Sequence, residues 1–152
     1  MSWYKKVVAD LAEIPNFLSH YENELLSAKY DLSMKGQRLE EFGAVLPGIM
    51  EYRFNQLQEI EAVLEFVNIH LKKTRSEKFK LYFEKYNKIL SSRDAEKYSE
   101  AEQDVIDAAL LVNDVALLRN QYLGVIKGIE QKGWMIGHII KLRVAGLDDA
   151  QL

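Results

Sequence analysis

The sequence predicts an all-α protein, a bundle of long helices packed in coiled-coil fashion, and three observations point there. Only two prolines, Pro15 and Pro47, interrupt 152 residues. No run of alternating β-branched residues is bounded by turn signals. Apolar residues recur at intervals of three and four along most of the chain. With 48% apolar residues and 11% aromatics the chain can bury a core of its own, so residues 1–152 read as one helical domain. Charge divides it into acidic N-terminal helices (1–71), a basic segment (72–93) and a long C-terminal helix (99–146).

A first helix is expected over about residues 3–13, ending before Pro15, because a residue preceding proline is disfavoured in the α conformation. A second spans about Asn16 to Phe42, with Phe17, Leu18, Tyr21, Leu25, Ala28 and Leu32 at helical spacing. Gly43 and the Pro47-Gly48 pair are read as its end. Pro47 then suits the first turn of a third helix, whose apolar face is Met50, Phe54, Leu57, Ile60, Val63, Leu64, Val67 and Leu71. Thr74 with Glu77 has the form of a capping box, which favours a joint near 73–75 over one uninterrupted helix to residue 90. Ser91 to Asp94 reads as a loop. Ser99 with Glu102 is a second capping box, and Gly146 the stop of a last helix over about 100–145.

That last helix is apolar on more than one face. Val105, Ala108, Val112, Val115, Tyr122, Ile126, Ile129, Ile136 and Ile140 follow the helical period, with Leu111, Leu118, Val125, Met135 and Ile139 beside them. A stripe so wide needs two neighbours, and the helices predicted upstream are few, so the C-terminal helix is expected to join subunits of a homo-oligomer. Gly124, Gly128, Gly133 and Gly137 each weaken a helix by about 1 kcal/mol relative to alanine, which suggests close backbone approach or bending. His138, between Ile136 and Ile139, reads as a packed core residue.

Several chemistries are excluded by composition. The chain has no cysteine, hence no disulfide or thiolate nucleophile. His20, His70 and His138 lie in no metal-ligand spacing, no glycine-rich phosphate loop occurs, and the carboxylates read as solvated helix faces. No enzyme activity, metal or cofactor is expected. The N-terminus lacks the apolar core of a signal peptide and no stretch approaches the length of a spanning helix, so a cytoplasmic protein without membrane contact is expected.

The most informative segment is residues 72–93. Lys72, Lys73, Arg75, Lys78, Lys80, Lys85, Lys88 and Arg93 face only Glu77 and Glu84, a net of +6 in a chain whose overall charge is −3. Phe79, Tyr82, Phe83 and Tyr86 lie among them. Cations that track phosphates and rings that stack on any base suit single-stranded nucleic acid. The same spacing also fits a buried aromatic stripe with lysines snorkelling around it, and a helical scaffold or assembly chaperone that binds an acidic protein remains an alternative.

Two stretches resemble the UvsY-type recombination mediators of T-even-like bacteriophages. Lys78-Phe79-Lys80-Leu81, then Tyr82-Phe83-Glu84-Lys85-Tyr86-Asn87 and Ser91-Ser92-Arg93, are similar to that family's basic element, tyrosine-rich helix end and polar loop, with Lys80 where the family has arginine. Lys132-Gly133-Trp134-Met135-Ile136-Gly137-His138-Ile139-Ile140-Lys141-Leu142-Arg143 is similar to its C-terminal element. The resemblance spans about residues 70–145. It implies a protein that binds single-stranded DNA and helps load a RecA-like recombinase onto strands coated by a single-strand-binding protein, in homologous recombination and repair. It also implies a homo-oligomer, possibly a ring, built through Ile126, Ile129, Gly133, Trp134, Ile136, His138, Ile139, Ile140 and Arg143. Lys72, Lys73, Arg75, Lys78, Lys80, Tyr82, Lys85, Tyr86, Lys88 and Arg93 are the expected nucleic-acid contacts.

Overall fold

The computed structural model describes residues 2–33, 38–86 and 89–146, and these form helices joined by short connections. Helix α1 (Trp3–Ala9) is capped by Ser2, whose hydroxyl accepts from the Lys5 amide. Asp10 ends it, and the Asp10 carboxylate accepts from Ala12 at 2.9 Å to start a 3-10 turn over Leu11–Glu13. Helix α2 (Ile14–Asp31) follows directly. The break expected before Pro15 therefore falls at Asp10, and Pro15 sits in the first turn of α2, where its missing N–H costs nothing.

The second correction concerns Pro47. Helix α2 stops at Asp31, and α3 (Leu39–Lys85) starts upstream of Gly43, so Pro47 and Gly48 lie inside a helix rather than between two. Proline forfeits the bond to the carbonyl of Gly43. Phe42, Leu46, Ile129 and Ile136 form a core cluster around that point, and their burial offsets the loss.

The third correction is at 73–75, where no joint exists. Helix α3 runs through all 47 residues, about 70 Å at about 1.5 Å per residue. Thr74 starts nothing; its hydroxyl donates to the His70 carbonyl at 3.0 Å, one turn back in the same helix. Just upstream, Leu71 packs on Val105 and Ala108, so tertiary contacts hold the helix across the capping signal.

Ser91 to Asp94 is not a loop but the beginning of α4 (Ser92–Glu100). Ser91 accepts from the Asp94 amide at 3.1 Å and donates to the Asp94 carboxylate at 2.6 Å. Ser99 caps nothing and donates to the Glu96 carbonyl. Helix α5 (Gln103–Val144) begins after Glu102, and Gly146 ends it at φ 73°, the left-handed conformation that favours glycine.

Helices α3 and α5 pack antiparallel along their lengths, Phe42 and Leu46 meeting Ile136 at one end and Leu71 meeting Val105 at the other. In the middle α1 and α2 close the third side: Val7, Ile14, Phe17 and Tyr21 join Leu57, Ile60, Val63, Val67, Val115, Leu118 and Tyr122 in the main core. Polar ties fix that corner. Arg53, 1% exposed, donates to the Glu24 carboxylate at 3.0 Å, the Glu24 carbonyl at 3.1 Å and Gln56 at 3.0 Å. The Glu59 carboxylate accepts from the Tyr4 amide at 3.0 Å and from the Tyr21 hydroxyl. Burial, aided by Glu59, pushes the Tyr21 hydroxyl well above the usual phenol range, and burial does the same to Tyr122.

The second neighbour that the wide stripe of α5 requires is thus supplied in part by α2. Ile126, Ile129 and Ile136 are buried inside the protomer, and Gly133 lies beside Leu46. Ile139 is half-buried; Trp134, Ile140, Arg143 and also His138 are exposed, so His138 is no core residue. Arg143 pairs with Glu40 at 3.7 Å. Among the described residues a methyl group added at Gly124, Gly128 or Gly137 would meet nothing within 4 Å, so no contact among them explains those glycines. Among the described residues no helix is long and apolar enough to cross a membrane, and no group of His, Cys, Asp and Glu could hold a metal ion.

Candidate nucleic-acid interface

The candidate interface is the C-terminal third of α3, which projects past the main core beside α4 and the start of α5. At 100° per residue, positions 72, 79 and 83 share one side of this helix and 73 with 80 lie next to it. Lys72, Lys73 and Lys80 are exposed there. Phe79 and Phe83 stack with ring centroids 5.4 Å apart and planes 13° from parallel, and Phe83 is 53% exposed. Three cations thus border a ring pair of which Phe83 is open to solvent and Phe79 is half-buried. Lys73 comes within 4.0 Å of Glu77, an exposed pair that constrains the lysine little. Arg75 and Lys85 are also exposed.

Lys78 and Tyr82 turn the other way. Lys78 pairs with Asp104 at 2.7 Å and with Glu102 at 3.7 Å, and the hydrogen bond it donates to Asp104 holds its ammonium above the usual lysine range. The Tyr82 hydroxyl donates to Glu102, which raises its pKa, and the Tyr82 ring stacks on Tyr98 of α4 with centroids 5.7 Å apart. Both side chains are therefore engaged with the chain itself. Tyr86, at the C-cap of α3, is 51% exposed and lies 5.6 Å from Tyr82. Arg93 is exposed at the start of α4. Lys88 lies outside the described residues.

The four aromatics expected on one face are thus divided. Phe79 and Phe83 stack on each other, Phe83 exposed and Phe79 half-buried, whereas Tyr82 reaches α4 and α5. Phe83 and Tyr98 were not among the expected contacts, and neither were the carboxylates that hold Lys78. A signal for the latter exists in the sequence: residues 94–107 carry Asp94, Glu96, Glu100, Glu102, Asp104 and Asp107 against Lys97, a net of −5 directly after the basic island. Arg75 and Phe79 share with Glu96, Ser99 and Glu100 a cleft of about 410 Å³ between α3 and α4.

Among the described residues no carboxylic acid is buried. What the arrangement offers is a ridge of mobile-stemmed cations beside flat apolar rings, a chemistry suited to phosphates and stacked bases. No protein-family model, no curated protein and no solved structure matches the chain.

Proposed function

We propose that this protein is a non-enzymatic, single-stranded DNA-binding recombination mediator that helps load a RecA-like recombinase and works as a homo-oligomer. The observation that carries the binding part is the placement of exposed Lys72, Lys73 and Lys80 beside the exposed Phe83, which stacks on the half-buried Phe79. Lysines hold phosphates without reading sequence, and rings accept any base, so the strand is bound with little sequence preference. Self-assembly is supported by the exposed Trp134, Met135, Ile140 and Val144 near the end of α5. Several weak sites on one assembly gain avidity through effective concentration. Recombinase loading rests on the resemblance of residues 78–93 and 132–143 to the mediators named above.

One observation favours a second reading. Lys78 already seats two carboxylates, so the same helix suits a scaffold or chaperone that docks an acidic protein. Fluorescence anisotropy with labelled single-stranded DNA, duplex DNA and poly-glutamate across a salt series separates the two. Preference for the single strand supports the DNA reading, and equal or tighter binding of poly-glutamate defeats it. Recombinase loading is tested by filament assembly on DNA coated with single-strand-binding protein; no acceleration would remove that part alone.

A further inference from the structure

Building on the single-stranded DNA reading, we infer that α4 and the turn joining it to α5, with Glu102 and the neighbouring Asp104 side chain, form an acidic lid that occupies part of the strand's site and is displaced when the strand binds. Three observations converge. Asp104 and Glu102 hold Lys78 at 2.7 and 3.7 Å, in the position a phosphate oxygen would take. Glu102 and Tyr98 hold the hydroxyl and the ring of Tyr82, so this aromatic is closed to a base by the same segment. Glu96 and Glu100 line the cleft in which Arg75 and Phe79 lie.

The lid is built to lift. Helix α4 has nine residues and buries only Ala95 and Ser99, both small, so little apolar surface anchors it to α3. Leu71, Val105 and Ala108 hold α3 to α5 just behind it, so α4 can move while the helix pair stays packed. Residues 92–104 carry a net of −3, five carboxylates against Arg93 and Lys97, opposite a net of +5 over 72–88, which makes the lid a mimic of the polyanion it yields to. A strand that displaces it gains one cation and one ring, and a weak or short ligand does not. Binding is thereby biased toward longer strands.

Hydrogen exchange of the wild-type chain, with and without a saturating oligo-dT of about 25 nucleotides, is the direct test. Exchange is expected to slow over residues 72–85 and to quicken at least about threefold over 92–104. Protection of 72–85 with unchanged or slower exchange over 92–104 overturns the lid while leaving DNA binding intact. No protection anywhere overturns DNA binding and the lid with it. A second arm uses Glu102→Gln/Asp104→Asn against a control of equal charge, Glu51→Gln/Glu65→Gln, at exposed positions of α3 remote from the lid. The lid variant is expected to bind oligo-dT about fivefold tighter than the control at the same salt slope, because Lys78 reaches a phosphate in both complexes and only the cost of displacing the lid differs. Equal affinity of the two variants also overturns the lid.

Discussion

Replacing Glu24 with alanine removes the carboxylate that faces Arg53 at 3.0 Å, together with acceptors used by Gln56 at 2.8 Å and Tyr52 at 3.1 Å. Arg53 is 1% exposed and cannot turn to water without breaking the contact of α2 with α3. Removing one partner of a buried ion pair costs about 3–5 kcal/mol, a large share of the roughly 5–15 kcal/mol that stabilises a typical domain. At about 2–4 °C per kcal/mol for a chain of this size, melting falls by roughly 10–15 °C. Glu24→Leu/Arg53→Met, which removes both charges, is expected to recover most of the loss, because an apolar pair carries no desolvation penalty. The pH dependence follows with a definite sign. The hydrogen bond from Gln56, with those from Tyr52 and Arg53, holds the Glu24 carboxyl below its ordinary value. Its contribution is fully present above about pH 4.3, the unfolded value of a glutamate, and is lost as pH falls through the lower folded value. Urea unfolding at pH 7 and at pH 3 measures both effects. A cost for Glu24→Ala below about 1 kcal/mol at pH 7, or an unchanged difference between variant and wild type at pH 3, refutes the pairing as a stabilising tie.

Other substitutions separate the surfaces. Phe83→Ala removes an exposed ring and is expected to cost about 1–3 kcal/mol of single-strand binding at unchanged salt slope and unchanged melting, whereas Tyr82→Ala also lowers melting because its ring and hydroxyl hold α4 and α5. Ile140→Glu, at an exposed position, leaves the folded protomer intact and shifts sedimentation to smaller species, while Ile136→Glu, 7% exposed in the core against Phe42 and Leu46, unfolds it. Gly124→Ala/Gly128→Ala raises thermal stability, by about 1 kcal/mol per site, since a methyl group meets nothing within 4 Å there. If the same variant loses assembly in sedimentation, those glycines serve a contact between subunits.

Why some features were legible in the sequence and others were not follows from the range of the forces involved. Helical periods, the all-α class and the glycine stop at Gly146 are local signals and emerge as read. Pro47 and Thr74 are local signals too, yet both were overridden, because Phe42, Leu46 and Leu71 pack on α5 nearly 100 and about 35 residues away. Burial at long range outweighs a lost hydrogen bond or an unused cap. In the candidate interface, Lys72, Lys73 and Lys80 could be placed on an outer face by period alone. That Lys78 faces inward depends on where Glu102 and Asp104 arrive, which the turn at 101–102 decides. The excess apolar stripe on α5 was read as an intersubunit seam, and Ile126, Ile129 and Ile136 instead meet the chain's own helices, since α2 folds back as a second neighbour.

Binding of single-stranded DNA through α3 is tested most directly by the salt dependence of oligo-dT affinity for the wild-type chain and for Lys72→Ala/Lys80→Ala. Alanine keeps the helix, and both lysines are exposed, so the variant folds as the wild type does. With Lys72, Lys73, Arg75, Lys80 and Lys85 on phosphates, and Lys78 once the lid is displaced, log K of the wild type falls against log salt with a slope of about −4.2 per subunit, at about 0.7 per contact. The double variant is expected to bind more weakly with a slope of about −2.8, flatter by two contacts. A folded variant with wild-type affinity and slope would contradict the assignment of the strand to this helix.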